Sequence, residues 1–151
     1  MSPEQTQSLD KRIDDTLWTY CANRAENKYI SNTNKTCAYS RAMLATMRDP
    51  INPQIDSKLR AAGADFLCVT AEYGLRNKTI APKEALQMFD KAAQAYQAFP
   101  GDEIEVWPNW SLASRSMIKA SKMFLDEGDT QFAHEIIIMM DKMQTVDDNL
   151  E

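Results

Sequence analysis

The stretch Ser116–Met143 constrains the fold of this chain most strongly, because it contains one complete helical hairpin. Apolar residues recur with helical spacing up to Asp126, a Gly128-Asp129 turn follows, and a second helical pattern begins near Thr130. Glycine just after a helix permits the left-handed backbone that ends many helices. Two helices joined by so short a turn lie antiparallel to each other. The sequence therefore predicts an antiparallel pair of helices in this stretch.

Looser copies of the hairpin occur twice upstream. The small residues Ala38, Ala85 and Ala133 are spaced 47 and then 48 residues apart on the predicted return helices. On the outgoing helices, a large residue is followed by further core-type residues three, four and seven positions later. This pattern starts at Trp18, Phe66 and Met117. Such a period is typical of stacked hairpins, in which a small residue lets two helices approach closely. We therefore predict an all-α fold of three antiparallel hairpins, six helices in all, stacked as a short α-solenoid; a compact six-helix bundle is the alternative.

Helical periodicity and its interruptions also predict the bounds of the six helices. They cover about 8–29, 36–48, 53–76, 82–99, 110–126 and 130–146. Asn52 is expected to cap the third helix, and Gly63 inside that helix indicates either a close approach of another helix or a slight bend. No stretch alternates apolar and polar residues as a strand would, and 151 residues fit one domain. We expect a single helical domain over 1–151, with 1–7 and 147–151 as frayed tails.

Charge and composition argue against several classes of function. The net charge is −5, so the chain has no general attraction to phosphates, and nucleic-acid binding is not expected. No apolar run approaches the roughly eighteen residues that a membrane-spanning helix needs, so we expect a soluble protein without membrane insertion. The three cysteines and the single histidine, His134, lack the spacing of a zinc site, and His134 has no positioned carboxylate partner. We predict no metal, no cofactor and no enzymatic activity.

Seven positions of the third hairpin form a set of large, small, aromatic and turn residues. They are Met117, Ala120, Ser121, Phe124, Gly128, Asp129 and Ala133. The earlier copies retain other positions of the same repeat pattern, Ala38 and Pro50 in the first and Ala85, Phe89 and Ala92 in the second. This set resembles the tetratricopeptide repeat over most of the chain. The first two copies depart from that family, because their turns lack Gly-Asp and carry three or four extra loop residues.

The resemblance implies that one face of the outgoing helices forms a groove for a peptide or helix of another protein. The groove positions fall on Thr19, Asn23, Leu67, Ala71, Arg115, Ile118, Lys119 and Lys122. Some relatives hold a terminal carboxylate there with lysine, arginine and asparagine side chains. Asn23 matches that set, and Arg115 and Lys119 are basic but exchanged in order. Thr19 and Cys68 do not match, and an ordinary solvated helix face is the alternative interpretation.

The segment from Gly101 to Trp110 is a second candidate for contact with a partner. It combines three acids with two tryptophans, Asp102, Glu103, Glu105, Trp107 and Trp110. Tryptophan is enriched in binding hot spots, but it also holds loops on a core, which is the interpretation we favour. We therefore predict a non-enzymatic protein–protein interaction module, adaptor-like or chaperone-like, that uses the groove. The alternative is a small acidic inhibitor, such as an immunity protein or antitoxin, that neutralises a toxic enzyme through this segment.

Cys21 and Cys37 form a candidate disulfide. On the repeat alignment each lies next to a small residue, Ala22 or Ala38, where the helices of the first hairpin are expected to come closest. A bridge would indicate a periplasmic or secreted protein, because disulfides persist in oxidising compartments. Free thiols in a cytoplasmic protein are the first expectation.

Overall fold

The computed structural model describes residues 8–23, 33–97 and 112–148, which form six α-helices. The helices are α1 (Leu9–Asn23), α2 (Thr33–Arg48), α3 (Ser57–Arg76), α4 (Pro82–Gln97), α5 (Leu112–Asp126) and α6 (Thr130–Asp148). No residue in the three described ranges lies in a β-strand. The prediction of an all-α fold with six helices is therefore confirmed.

The central helix of the fold is α3, and α1, α2, α4 and α5 all pack against it. In turn, α6 packs on both α4 and α5. Within the described ranges, extensive packing joins the first hairpin to the second and the second to the third, but not the first to the third. The fully buried large side chains include Leu67, Met88, Phe89, Met117 and Ile136. The extensive contacts between hairpins thus follow chain order, with α3 at the centre.

The second and third hairpins are stacked nearly in register. The backbone N–H of Ala113 donates to Asp65 Oδ1 at 3.2 Å, across 48 positions of sequence. The side-chain amide of Gln97 donates to the carbonyl of Lys142 at 3.2 Å, across 45 positions. Both offsets are close to the spacing of the recurring alanines. All three alanines face inward, because Ala85 and Ala133 are buried and Ala38 is half-buried.

The α3–α4 and α5–α6 turns share one backbone geometry. Gly128 has a φ of +83° and donates its N–H to the carbonyl three residues before it at 3.0 Å. The N–H of Asp129 donates to the carbonyl five residues before it at 2.8 Å. Lys78, with a φ of +63°, and Thr79 make the same two bonds at 3.4 and 2.9 Å. These bonds satisfy carbonyls that have no partner inside the helix. The second turn therefore keeps the geometry of the third although it lacks the Gly-Asp pair.

Gly63 lies where α3 closely approaches α2. A Cβ atom on this residue would lie 2.2 Å from Thr46 Oγ1 and 2.5 Å from the carbonyl oxygen of Ala42. Along the same interface the rings of Tyr39 and Phe66 stack with centroids 4.0 Å apart. The expectation of a close helix approach at Gly63 is confirmed.

The start of α3, at Ser57, comes four residues later than predicted. Asn52 does not cap this helix, because its side-chain oxygen accepts the N–H of Gln54 at 3.0 Å and closes a turn ahead of it. The Arg60 guanidinium donates to the carbonyls of Asn52 and Ile55 at 2.6 and 3.0 Å. Arg60, in the first turn of α3, therefore stabilises the preceding segment as a turn. The local sequence pattern does not reveal this contact.

The first helix, α1, packs across the α3–α4 turn. The Thr16 hydroxyl lies 3.0 Å from the Thr79 hydroxyl. Arg12 donates to both carboxylate oxygens of Glu84 at 2.7 and 2.5 Å. The ring of Tyr20 contacts the ring of Tyr73 on α3 edge to face, with ring centroids 5.4 Å apart. Successive residues of α1 contact successively earlier residues around the α3–α4 turn. The chain therefore runs across this turn in the opposite direction along α1.

Smaller differences from the predictions concern helix ends and single side chains. The second helix begins at Thr33, three residues early, and the sixth continues to Asp148, two residues beyond its predicted end. Ala22, four residues after Trp18 in the recurring pattern, is predicted to be a core-type residue but is exposed. The predicted continuation of the first helix to 29 and the predicted N-terminal tail lie outside the described residues.

Candidate partner-binding surface

The predicted groove positions on α3 are buried in the core. Leu67 and Ala71 have no exposed surface. Four helices surround α3, so only a narrow strip of it faces solvent, and these two residues lie on the opposite side. A partner cannot reach them in this fold, and we assign both to packing.

The predicted groove positions on α1 are exposed but lie away from those on α5. The hydroxyl of Thr19 donates to the carbonyl of Asp15 at 2.9 Å, within its own helix. The side-chain amide of Asn23 donates to the hydroxyl of Tyr73. Since α1 has no extensive contact with α5 in the described ranges, the fold does not bring the two sets into one groove.

The remaining four groove positions, Arg115, Ile118, Lys119 and Lys122, all lie on the exposed face of α5. The exposed Leu112 and Leu125, which the groove prediction missed, extend this face. Leu125 lies seven residues, or about two helical turns, beyond Ile118, so helical spacing from Ile118 would have identified it. We define the α5 surface as Leu112, Arg115, Ile118, Lys119, Lys122 and Leu125. Its apolar members Leu112, Ile118 and Leu125 are exposed by 41%, 40% and 50%.

The α5 surface has two parallel rows of side chains. Arg115, Lys119 and Lys122 follow the i, i+4, i+7 spacing that aligns residues along one side of a helix. Ile118 and Leu125, seven residues apart, form a neighbouring apolar row. A helix therefore presents a basic row beside an apolar row over about two turns.

The opposite face of α5 holds this surface in place. The residues Ala113, Met117, Ala120 and Phe124 are buried against the rest of the core. Ser121, also buried, donates its hydroxyl to the carbonyl of Ile118 at 2.9 Å. The exposed rows therefore stand on a helix whose other side is packed.

None of the three basic residues of the α5 surface forms an ion pair with any residue that the structure describes. The ion pairs in those ranges are Lys11–Asp15, Arg12–Glu84 and Arg76–Glu72. The chain as a whole carries a net charge of −5. The α5 surface is thus a local concentration of positive charge on an acidic protein.

Asp65 holds the beginning of α5 from a neighbouring helix. Its Oδ1 accepts the N–H of Ala113 at 3.2 Å and the hydroxyl of Tyr96. Burial raises the pKa of Asp65, and the bonds from Tyr96 and Ala113 oppose that rise. No sequence pattern indicates this site, because its three residues come from three helices and share no spacing signal.

The three cysteines are free thiols in the structure. Cys21 is buried on α1, where its thiol pairs with the Thr36 hydroxyl, and burial raises its pKa. Cys37, the other half of the candidate bridge, is half-buried. Burial and the charge of Asp65 raise the pKa of Cys68 well above its ordinary value. Whether the protein belongs to an oxidising compartment stays a prediction.

Three other predictions concern metals, membranes and the alternative contact segment. The described residues contain no group of three or more His, Cys, Asp or Glu that could hold a metal ion. No helix in the described ranges has both the length and the apolar character needed to cross a membrane. The alternative contact residues lie outside the described residues; they are Asp102, Glu103, Glu105, Trp107 and Trp110.

Comparisons of the chain with protein-family models, curated proteins and solved structures found no match. The resemblance to the tetratricopeptide repeat therefore rests on the residues of this chain alone.

Proposed function

We propose that this protein is a non-enzymatic protein-binding module built of tetratricopeptide-like hairpins, and that it holds a segment of a partner protein on the α5 surface. The observation that carries the proposal is the apolar row of Ile118 and Leu125, half exposed beside three basic residues without ion partners in the described ranges. Exposed apolar side chains grouped beside charged ones are typical of interaction sites.

The packing of α5 supports the same function. Binding is stronger when the surface is already ordered, because less conformational entropy is lost on association. The buried face of α5 packs on α3 and α6, and Asp65 holds its first turn. On α6 the exposed Ile137 and Ile138 add further apolar surface to the same hairpin.

The experiment compares partner capture by two matched double variants. Ile118→Ser with Leu125→Ser removes the apolar row, whereas Ile51→Ser with Leu59→Ser removes two apolar side chains that are exposed by 60% and 42% elsewhere. Proteins retained by the wild type are identified, purified and titrated against each variant. We expect the α5 variant to bind at least about tenfold more weakly and the control variant to bind like the wild type.

The same titration separates the inhibitor alternative. If the α5 variant binds like the wild type while Trp107→Ala with Trp110→Ala loses the partner, contact runs through the 101–110 segment and the proposal is overturned. Equal loss in the α5 and control variants would also overturn it, because the effect would then not be specific to the α5 surface.

A further inference from the structure

We infer that the segment held on the α5 surface is an acidic amphipathic helix lying along α5. This inference rests on the proposed function and adds the chemistry and conformation of the partner. It follows from the arrangement of the basic and apolar rows, from the lack of ion partners for the basic row within the described residues, and from the length of the surface.

The two-row arrangement favours a helix over an extended peptide. Successive side chains of a strand point to opposite faces, so one face of a strand presents a single line of residues. A helix presents two neighbouring lines, one at i, i+4, i+7 and the other at i+3, i+10. The basic row and the apolar row of α5 run side by side, so a second helix can match both rows at once.

The charge of the basic row favours an acidic partner. Arg115 and Lys119 are four residues apart, and like charges at that spacing repel each other across one helical turn. No carboxylate within the described ranges forms an ion pair with either residue or with Lys122. Carboxylates of a partner would both relieve this repulsion and form new pairs. The chain as a whole is acidic, so the attraction does not come from its net charge.

The length of the α5 surface sets the length of the partner helix. From Leu112 to Leu125 the surface extends over thirteen helical steps, about 20 Å at 1.5 Å per residue. A partner helix of about fourteen residues covers it. Its acids should repeat with i, i+4, i+7 spacing, with leucine-like residues on the neighbouring row.

The test uses synthetic helical peptides of about eighteen residues, labelled with a fluorophore and titrated with the full chain. The first peptide carries a glutamate row beside a leucine row. The second replaces each glutamate with lysine, and the third keeps the first composition but has two central prolines, which prevent a continuous helix. We expect the glutamate peptide to bind and the other two to bind at least about tenfold more weakly.

Charge reversal on the protein provides the matched control. Arg115→Glu with Lys119→Glu and Lys122→Glu should lose the glutamate peptide and gain the lysine peptide. The control, Arg41→Glu with Arg48→Glu and Lys83→Glu, changes the net charge equally at exposed sites on α2 and α4 and should bind like the wild type. Binding should also weaken as salt rises from about 0.05 to 0.5 M, because screening acts on exposed pairs.

The outcomes separate this inference from the proposed function. If Ile118→Ser with Leu125→Ser abolishes capture of the native partner but the lysine or proline peptide binds as well as the glutamate peptide, the binding module stands and the acidic helix is wrong. Equal effects of the two triple reversals would also overturn the inference, because net charge rather than the basic row would then govern binding.

Discussion

Lys78 and Gly128 hold the same place in two successive turns, yet only one of them is a glycine. Both have positive φ, at +63° and +83°, and both support the same pair of backbone bonds. A side chain with a Cβ adopts this conformation at a cost, because the Cβ approaches the neighbouring carbonyl. The hydrogen bonds of the turn hold Lys78 in this conformation, so its backbone lowers the free energy of unfolding relative to a residue without a Cβ.

Lys78→Gly is expected to raise the free energy of unfolding by about 1 kcal/mol, because glycine adopts positive φ without the Cβ contact. Urea denaturation, with the m-value unchanged, measures this change in the free energy of unfolding. The control is Gly128→Ala, for which a Cβ meets nothing within 4 Å, so only the backbone cost of about 1 kcal/mol should appear, as a loss. A Lys78→Gly protein no more stable than the wild type would contradict the prediction.

Gly63→Ala is expected to lower the free energy of unfolding by about 1–3 kcal/mol, because the new Cβ would overlap the backbone carbonyl of Ala42. The sign of the change is informative, since the same substitution at an open helix position adds about 1 kcal/mol of stability. Thermal and urea unfolding give the value. A stabilised Gly63→Ala protein would show that α2 moves away readily and that close approach is not why glycine fits there.

At the scale of the element, α1 depends on a few polar contacts with the second hairpin. Glu84 accepts two bonds from Arg12 and, through Oε1, one from the N–H of Ala81 at 3.0 Å. Its carboxylate therefore satisfies the N-terminus of α4 and anchors α1 at the same time. The Arg12 bonds are the main cause that lowers the pKa of Glu84. Packing between α1 and α3 adds the apolar part of this attachment.

Glu84→Gln is expected to lower the free energy of unfolding by about 1–2 kcal/mol at pH 7, because an amide cannot accept the paired charge-assisted bonds from Arg12. The pKa of Glu84 is lowered in the folded state, so its stabilising effect is complete above its unfolded pKa of about 4.3 and is lost as the pH falls through the lower folded value. The difference between wild type and variant should therefore shrink as the pH is lowered from 7 to below about 4.3.

Arg12→Lys is the matched control, since it keeps the charge but not the two parallel bonds. Denaturation of all three proteins across that pH range decides the matter. A wild-type–variant difference that stays constant with pH would place the effect of Glu84 in packing rather than in its charge.

At the scale of the whole molecule, one carboxylate ties three helices together. Asp65 on α3 accepts bonds from Tyr96 on α4 and from the first turn of α5. The α5 surface stands on the helix that this contact begins, so the position of the proposed binding residues depends on it. Stacking of the second and third hairpins thus has a polar component beside the apolar core.

Asp65→Ala is expected to lower the free energy of unfolding by about 1–3 kcal/mol and to speed amide exchange in the first turn of α5, because the cap and the Tyr96 acceptor are both lost. Hydrogen exchange followed by mass spectrometry locates the effect. Asp65→Asn keeps an acceptor oxygen and should leave exchange in that turn near the wild-type rate. Equal exchange in Asp65→Ala and wild type would show that α5 begins without this contact.

The same Asp65→Asn variant should differ from the wild type in its pH dependence. The folded pKa of Asp65 is raised, so the folded state holds its proton more tightly than the unfolded state does. Wild-type stability relative to Asp65→Asn should therefore fall as the pH rises from about 4, the ordinary aspartate value, through the raised folded value. A relative stability that rises with pH in this interval would contradict the assigned direction.

The local features of this protein follow from its amino-acid sequence alone. Six helices follow from apolar spacing within single segments, and Gly128 marks a turn through its own backbone preference. The spacing of Ala85 and Ala133 also carries the register of the second and third hairpins, because one hairpin pattern is repeated at one period. The family resemblance implied that Arg115 and Lys119 are exposed on α5, and the helical period places both on one side of that helix.

Which helix lies at the centre, and which residues are therefore covered, depends on contacts between distant parts of the chain. Periodicity identifies the apolar side of a helix but not how many neighbours surround it. The family resemblance implied that Leu67 lines a groove, but four helices surround α3 and Leu67 is fully buried. Asp65 and Lys78 likewise owe their roles to partners from other helices or to the closure of a turn. Contacts between distant segments depend on the path of the whole chain, and no short stretch of sequence records that path.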